Sequence, residues 1–461
     1  MKNNKFIILA CVFALVMSFC LASCSGGEVT GGLLPDDDFT PAVDDGAESE
    51  LGKRYNTYKR ELPMAFVVFD SYSHPSNFEF EQVDGGYVIS KFVGTDTVLV
   101  LPNEYNGETV TGIRAGAFEG KSVRAIYIPD EITNVERGAL DGANGLITLR
   151  LPQIYGGYLG YIFGGKEYGE NATSVPASLD KLIIGNGVTK VEDNAFAGCK
   201  TLSAIRFVSG DAPIEIGEFA FYGCSDLVYV ELETASKVST YAFGECSSLY
   251  EINCGAATVE KGAFYGCKSL NYLTVESVGE GENGYLGYLF GADGSDYSAE
   301  YVPASLRTVE IFGPCKAIGA KAFAECKYIT SIILHEGIQK IDARAFYKCR
   351  SLQDIVIPDT CESIGDDAFF ACDNLKSVTF GRKTQTIGMQ AFMGCRSLTE
   401  ITMPNRLTEI KPMTFYGCSE LTKVELVNVK KIGKDAFKGC DKLSPANIEG
   451  IEIAPGNDAL K

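Results

Sequence analysis

The pair Ala-Phe, with Cys three residues after the Phe, recurs through most of this chain. AFAGC (195–199), AFYGC (220–224 and 263–267), AFMGC (391–395) and TFYGC (414–418) are near copies. Phe196, Phe221, Phe243, Phe264, Phe323, Phe346, Phe369, Phe392, Phe415 and Phe437 stand 21 to 25 residues apart, with one gap of 59. Phe118 is an earlier member, and Leu140 in RGALDG sits 22 residues after it. A unit this short cannot cover its own apolar side and has to stack on others of its kind. The period therefore predicts one continuous repeat array, where 461 residues alone would suggest several domains.

Two longer gaps, 140 to 196 and 264 to 323, obey the same rule. Each holds a shared string, GYLGYIFG at 157–164 and GYLGYLFG at 284–291, followed by VPASL at 175–179 and 302–306. Phe163 and Phe290 then stand in for the missing members, and the block recurs at an offset of 127 residues. Fourteen turns result from Phe118 to Phe437, with a four-turn unit duplicated among them. The extra residues form two long loops, 164–174 and 291–301.

Within each repeat, aliphatic residues follow the Phe at +6, +9 and +11, as in Leu352, Ile355 and Ile357, or Leu398, Ile401 and Met403. The +9 and +11 positions have strand period, since alternate residues share one face. Pro358 and Pro404 then close the strand, because proline has no N–H for a ladder. An Ile before a turn Gly precedes the next Phe, as in ESIGDDAF (362–369) and QTIGMQAF (385–392). This grammar resembles the BspA-like (treponemal-type) leucine-rich repeats over about residues 85–445. The resemblance implies a β-rich, right-handed leucine-rich-repeat solenoid. A parallel β-sheet would line the concave face, with short turns or 3-10 segments on the other.

The remaining sequence divides around that array. Residues 1–23 read as a lipoprotein signal peptide: Lys2 and Lys5, a 17-residue apolar run (6–22), then LASC ending at Cys24. This resembles the lipobox of bacterial lipoproteins, which implies lipidation of Cys24 and an exported chain anchored to the cell envelope. Residues 24–50 are Gly- and Asp-rich with no base, and read as an acidic disordered tether. Residues 51–112 are expected to form an N-terminal cap and entry turns, with 51–86 covering the first sheet edge. The solenoid proper spans 113–445, and 446–461 is expected to supply a closing strand and tail.

The Cys residues at +3, namely Cys199, Cys224, Cys246, Cys267, Cys326, Cys349, Cys372, Cys395, Cys418 and Cys440, should stack into a column. Rungs ~4.8 Å apart are wider than a disulfide prefers, so buried thiols donating to backbone carbonyls are expected. Disulfides remain the rival reading in an exported chain. There is no CxxC pair, only His74 and His335, and no nucleophile or phosphate-loop motif, so neither a metal, a cofactor nor catalysis is indicated. A net charge of −19 disfavours nucleic acid and anionic headgroups as partners.

What is left is surface. Strand positions +7, +8 and +10 should point outward, which sets Tyr229, Tyr250 and Tyr272 on adjacent rungs beside Glu231, Glu251 and Asn253. An exposed aromatic stripe is a candidate face for an extracellular protein or glycan ligand. Cross-strand aromatic packing that only stabilises the sheet is the simpler reading of the same residues. Members of the resembled family are often implicated in adhesion, which implies an adhesin-like surface protein. A passive envelope spacer is the alternative.

Overall fold

Each turn of the chain adds one short strand to a single parallel ladder. The computed structural model describes residues 49–64, 72–208, 210, 212–232, 235–278, 283–313, 315–445 and 450–457. Residues 1–48, with the expected signal segment, Cys24 and nearly all of the tether, lie outside them. The main sheet has twelve strands, from Val98–Val100 to Ser377–Thr379, added almost entirely in chain order. Glu400–Thr402 and Lys423–Glu425 pair in the same parallel sense beyond it. The solenoid of parallel strands expected from the repeat is present, with little helix.

Register holds from rung to rung. Lys181 pairs with Ala204, Ala204 with Tyr229, Tyr229 with Glu251, Glu251 with Tyr272, Tyr272 with Thr308, and Thr308 with Ser331. A one-residue slip would turn the buried aliphatic row to solvent, so the pattern itself locks this alignment. In Asp354–Val356, Ser377–Thr379, Glu400–Thr402 and Lys423–Glu425 only the middle residue is buried.

The opposite side of each turn is also stranded. Lys190–Val191, Ile214–Ile216, Ala235–Val238 and Thr258–Val259 make a second parallel ladder. Ala317–Ile318, Lys340–Ile341, Ser363–Ile364 and Thr386–Ile387 make a third. The Ile or Val before each turn Gly is therefore a strand residue, a refinement of the turns and 3-10 pieces expected there. Helical pieces occur instead in the two YIF and YLF turns, as Leu159–Phe163 and Leu286–Leu289.

Between the two strands of a turn lies the Ala-Phe corner, which carries its own bonds. The Phe346 N–H donates to the Ala368 carbonyl at 2.8 Å, and the Phe369 N–H to that of Ala391 at 2.7 Å. The Phe rings stack, with centroids 4.8 Å apart for Phe346–Phe369 and 5.1 Å for Phe369–Phe392. Each stacked pair adds roughly 0.5–1.5 kcal/mol beyond burial. The corner needs left-handed backbone two residues before the Phe. Asn194, Phe219, Tyr241, Lys321, Arg344, Asp367, Gln390, Met413 and Asp435 all have φ between 53° and 61° there. Non-glycine residues in that region cost about 1–2 kcal/mol each, which the ladder on either side has to offset.

Both ends are closed by borrowed bonds. The hairpin Phe78–Val83 and Gly86–Phe92 pairs through its second strand with Glu108–Ile113, and so covers the first edge of the back side. At the far end Asn457 is buried and its Oδ1 accepts the Phe437 N–H at 3.0 Å. That oxygen replaces the carbonyl that a further turn would supply. Glu452–Ile453 adds a last parallel strand against Lys431–Ile432. Residues 446–449 and 458–461 of the expected closing segment lie outside the described residues.

Candidate ligand-binding face

The expected stripe of Tyr229, Tyr250 and Tyr272 is neither straight nor freely exposed. Tyr229 pairs with Glu251, which pairs with Tyr272, so Tyr250 stands one residue earlier, in a neighbouring column. Tyr229 is only 7% exposed, and Tyr250 and Tyr272 are half-buried. Tyr229 and Tyr250 are covered by a helix, Glu50–Met64, that packs on the outward face of Ala204–Phe207 and Tyr229–Glu231. Residues 50–64 thus lie on the sheet face, and the first-edge cover expected of 51–86 comes from the hairpin and from Ser73, which exchanges two hydrogen bonds with Val100.

Ser49 starts this helix, its Oγ accepting the Gly52 N–H at 3.0 Å. Leu51, Tyr55 and Tyr58 recur at i, i+4 and i+7 and so share one side. Tyr55 is buried between two sheet tyrosines, its ring centroid 5.5 Å from Tyr229 and 5.4 Å from Tyr250. Burial first, then the Glu251 charge, hold its phenol well above the ordinary tyrosine range. The Tyr58 hydroxyl donates to Asp180 at 2.9 Å, with the Lys181 ammonium 5.5 Å from its ring centre. Arg54 donates to Ser203 Oγ at 3.4 Å, and Lys59 lies 3.7 Å from Glu251. The helix thus meets a sheet patch that is aromatic in the middle and acidic at two points of its rim. Its period was legible in ELGKRYNTYKREL, but beside a polar composition it read as cap.

Beyond the helix the sheet face changes character. Glu310 gathers three side chains: the Tyr272 hydroxyl donates to it at 2.5 Å and Thr274 Oγ1 at 3.4 Å, while His335 Nε2 lies 2.7 Å from its other oxygen. Phe312, 49% exposed, stands edge-on to His335 at 5.3 Å. His335 thus sits in a polar cluster that its isolated place in the sequence did not suggest. The link needs the rung register, since Tyr272 and Glu310 are 38 residues apart. Glu231 accepts from the Tyr229 hydroxyl at 3.3 Å and pairs with Arg206 at 3.1 Å. Asn253 is exposed and uses its Oδ1 to accept the Gly255 N–H at 2.8 Å.

The ten repeat cysteines are buried and unpaired, and eight of them share one bond. Cys224, Cys246, Cys267, Cys349, Cys372, Cys395, Cys418 and Cys440 each donate Sγ–H to the corner Phe carbonyl of the preceding turn, at 3.0–3.2 Å. Cys199 and Cys326 begin the two runs, directly after the YIF and YLF turns, and Cys326 Sγ instead lies 3.9 Å from the Ala324 carbonyl. Burial pushes the Cys199 thiol up to about 12, so essentially no thiolate exists near neutral pH. Among the described residues no cluster of His, Cys, Asp and Glu has the makings of a metal site. No described helix is long and apolar enough to cross a membrane.

A profile of the BspA-type leucine-rich repeat region matches residues 103–165, 166–281, 298–388 and 339–454, in six copies. No curated protein matches the chain. Among solved structures it is similar to a leucine-rich cell surface protein from Faecalibacterium prausnitzii. That match has 20% identity and a TM-score of 0.30, and covers 84% of this chain and 96% of that one. A leucine-rich repeat protein from Bacteroides ovatus is 19% identical, with a TM-score of 0.28, covering 84% and 99%. The T. pallidum leucine-rich repeat protein is 14% identical, with a TM-score of 0.20, covering 81% and 91%. The profile alone spans well over half of the sequence, and this chain belongs to the BspA-type leucine-rich repeat family.

Proposed function

We propose that this chain is a cell-surface-anchored, adhesin-like binding protein that holds an extracellular protein or glycan ligand on its sheet face. The LASC string at 21–24 supports lipidation at Cys24 and a place on the outside of a bacterial envelope. The observation that carries the binding reading is the Tyr272–Glu310–His335 cluster beside exposed Phe312. It combines aromatic area, hydrogen-bonding groups and a carboxylate on a rigid ladder, the mixture that side-on recognition of peptides and sugars uses. A stacked core of Phe and Cys contributes nothing to such a surface.

The test is capture of a panel of immobilised matrix proteins and glycans by the chain and by a Tyr272→Ser, Phe312→Ser double variant. At least a tenfold loss of capture is expected for the variant, with its melting temperature kept. Unchanged capture would move the ligand off this face. No capture by either protein would favour the passive envelope spacer.

A further inference from the structure

The sheet face holds a second surface, which this structure shows already filled. The geometry points to Lys181, Ala204, Tyr229, Tyr250 and Glu251 as a docking site for an amphipathic helix with an aromatic stripe and a basic shoulder. The helix Glu50–Met64 is its resident occupant, and a partner helix of the same chemistry competes for it in trans. The proposal rests on reading the sheet face as the ligand surface and names the partner class for its N-terminal part.

Three observations carry it. Ala204 presents only a methyl group between Lys181 and Tyr229, and the Tyr55 ring packs in one buried cluster with it and with Tyr229. Charge complements charge around that ring: Lys59 faces Glu251, and the Tyr58 hydroxyl donates to Asp180. The occupant is also weakly self-sufficient. A helix of 15 residues with a glycine at its third position is marginal in water, so its order depends on the dock. An occupant held through one buried ring and a few rim contacts can be exchanged, whereas the Phe ladder beneath cannot. On the C-terminal side of the same column the in-register residues Thr308, Ser331, Asp354 and Ser377 are all polar and offer no such apolar seat.

The probe is a fluorescent synthetic peptide with the sequence of residues 49–64. The full chain and its Tyr55→Ser, Tyr58→Ser variant are titrated with it. The variant, whose own helix no longer holds the site, is expected to bind the peptide at least tenfold more tightly than the unaltered chain. Adding Tyr229→Ser to that variant should abolish binding. Equal affinities, or no binding by the variant, would overturn the proposal. Amide exchange gives a second reading that needs no variant. Residues 50–64 of the unaltered chain should exchange at least tenfold more slowly than the free peptide, and equal rates would overturn cis occupancy. Failure here leaves the Tyr272–Phe312 capture assay standing, and failure of that assay leaves the peptide result intact.

Discussion

The duplicated blocks have the same architecture and opposite surfaces. In the first, Lys181, Ala204 and Tyr229 lie under a docked helix; at the matching rungs of the second, Thr308, Ser331 and Asp354 carry no such cover among the described residues. The corner hydrogen bonds are nevertheless repeated. Leu159 N–H reaches the Ala195 carbonyl at 2.9 Å, and Leu286 N–H reaches that of Ala322 at 2.7 Å. In both blocks a short helical piece takes the corner ladder from one neighbour and passes it on from four residues before its Phe, while the extra residues of the 33-residue turn lie in the loops 164–174 and 291–301. One buried position differs. Asn171 accepts the Gly160 N–H at 2.7 Å and donates to the carbonyls of Asn194 and Ala195 at 3.3 and 3.2 Å. Its counterpart Ser298 is equally buried, but its hydroxyl has no partner. The interior of a repeat is held by what it stacks on, while its outward positions are free to acquire a use.

That contrast can be broken most severely at Asn171. Asn171→Ala removes three hydrogen bonds and leaves the buried Gly160 N–H without its acceptor, so a loss of about 3 kcal/mol is expected in urea unfolding. If it cost no more than Ser298→Ala, the two sites would be energetically alike after all. Next comes the helix. Tyr55→Ser should weaken docking by about 2 kcal/mol, the worth of one buried aromatic. The chain has no Trp, so the change can be followed by tyrosine emission, with the global unfolding midpoint unmoved. A midpoint that falls with the docking signal would make the helix part of the core.

The cysteine runs offer a finer test. In Cys372→Ser the new hydroxyl still meets the Phe346 carbonyl, whereas in Cys326→Ser it follows the YLF turn and lacks that acceptor. The second substitution should cost about 1 kcal/mol more than the first, measured by thermal unfolding under reducing conditions. The smallest effect is expected at Ser298→Ala. Deleting an unpartnered buried hydroxyl should be neutral or stabilising by up to about 1 kcal/mol. A clear loss there would reveal a bond that Ser298 makes in solution.

Much of the fold could be read from residue spacing because stacking converts a one-dimensional period into a three-dimensional column. The Phe and Cys positions were legible for that reason, as was the strand at +9 to +11. The back strands were less so: two residues such as Ser363–Ile364 are too short to show a period of their own. The candidate face was legible only as a list of outward tyrosines. Their exposure depended on a segment more than 170 residues earlier in the chain, Tyr55 against Tyr229.

The sequence by itself determined the length of a turn, which side chains face inward and where the stack is interrupted, since each follows from nearest-neighbour burial. Only the tertiary structure decided which outward residues are covered and which gather, as Glu310 gathers Tyr272 and His335. The physical reason is range. A repeat must satisfy its own apolar face locally, but its solvent side is settled by whatever distant segment finds lower free energy there than in water.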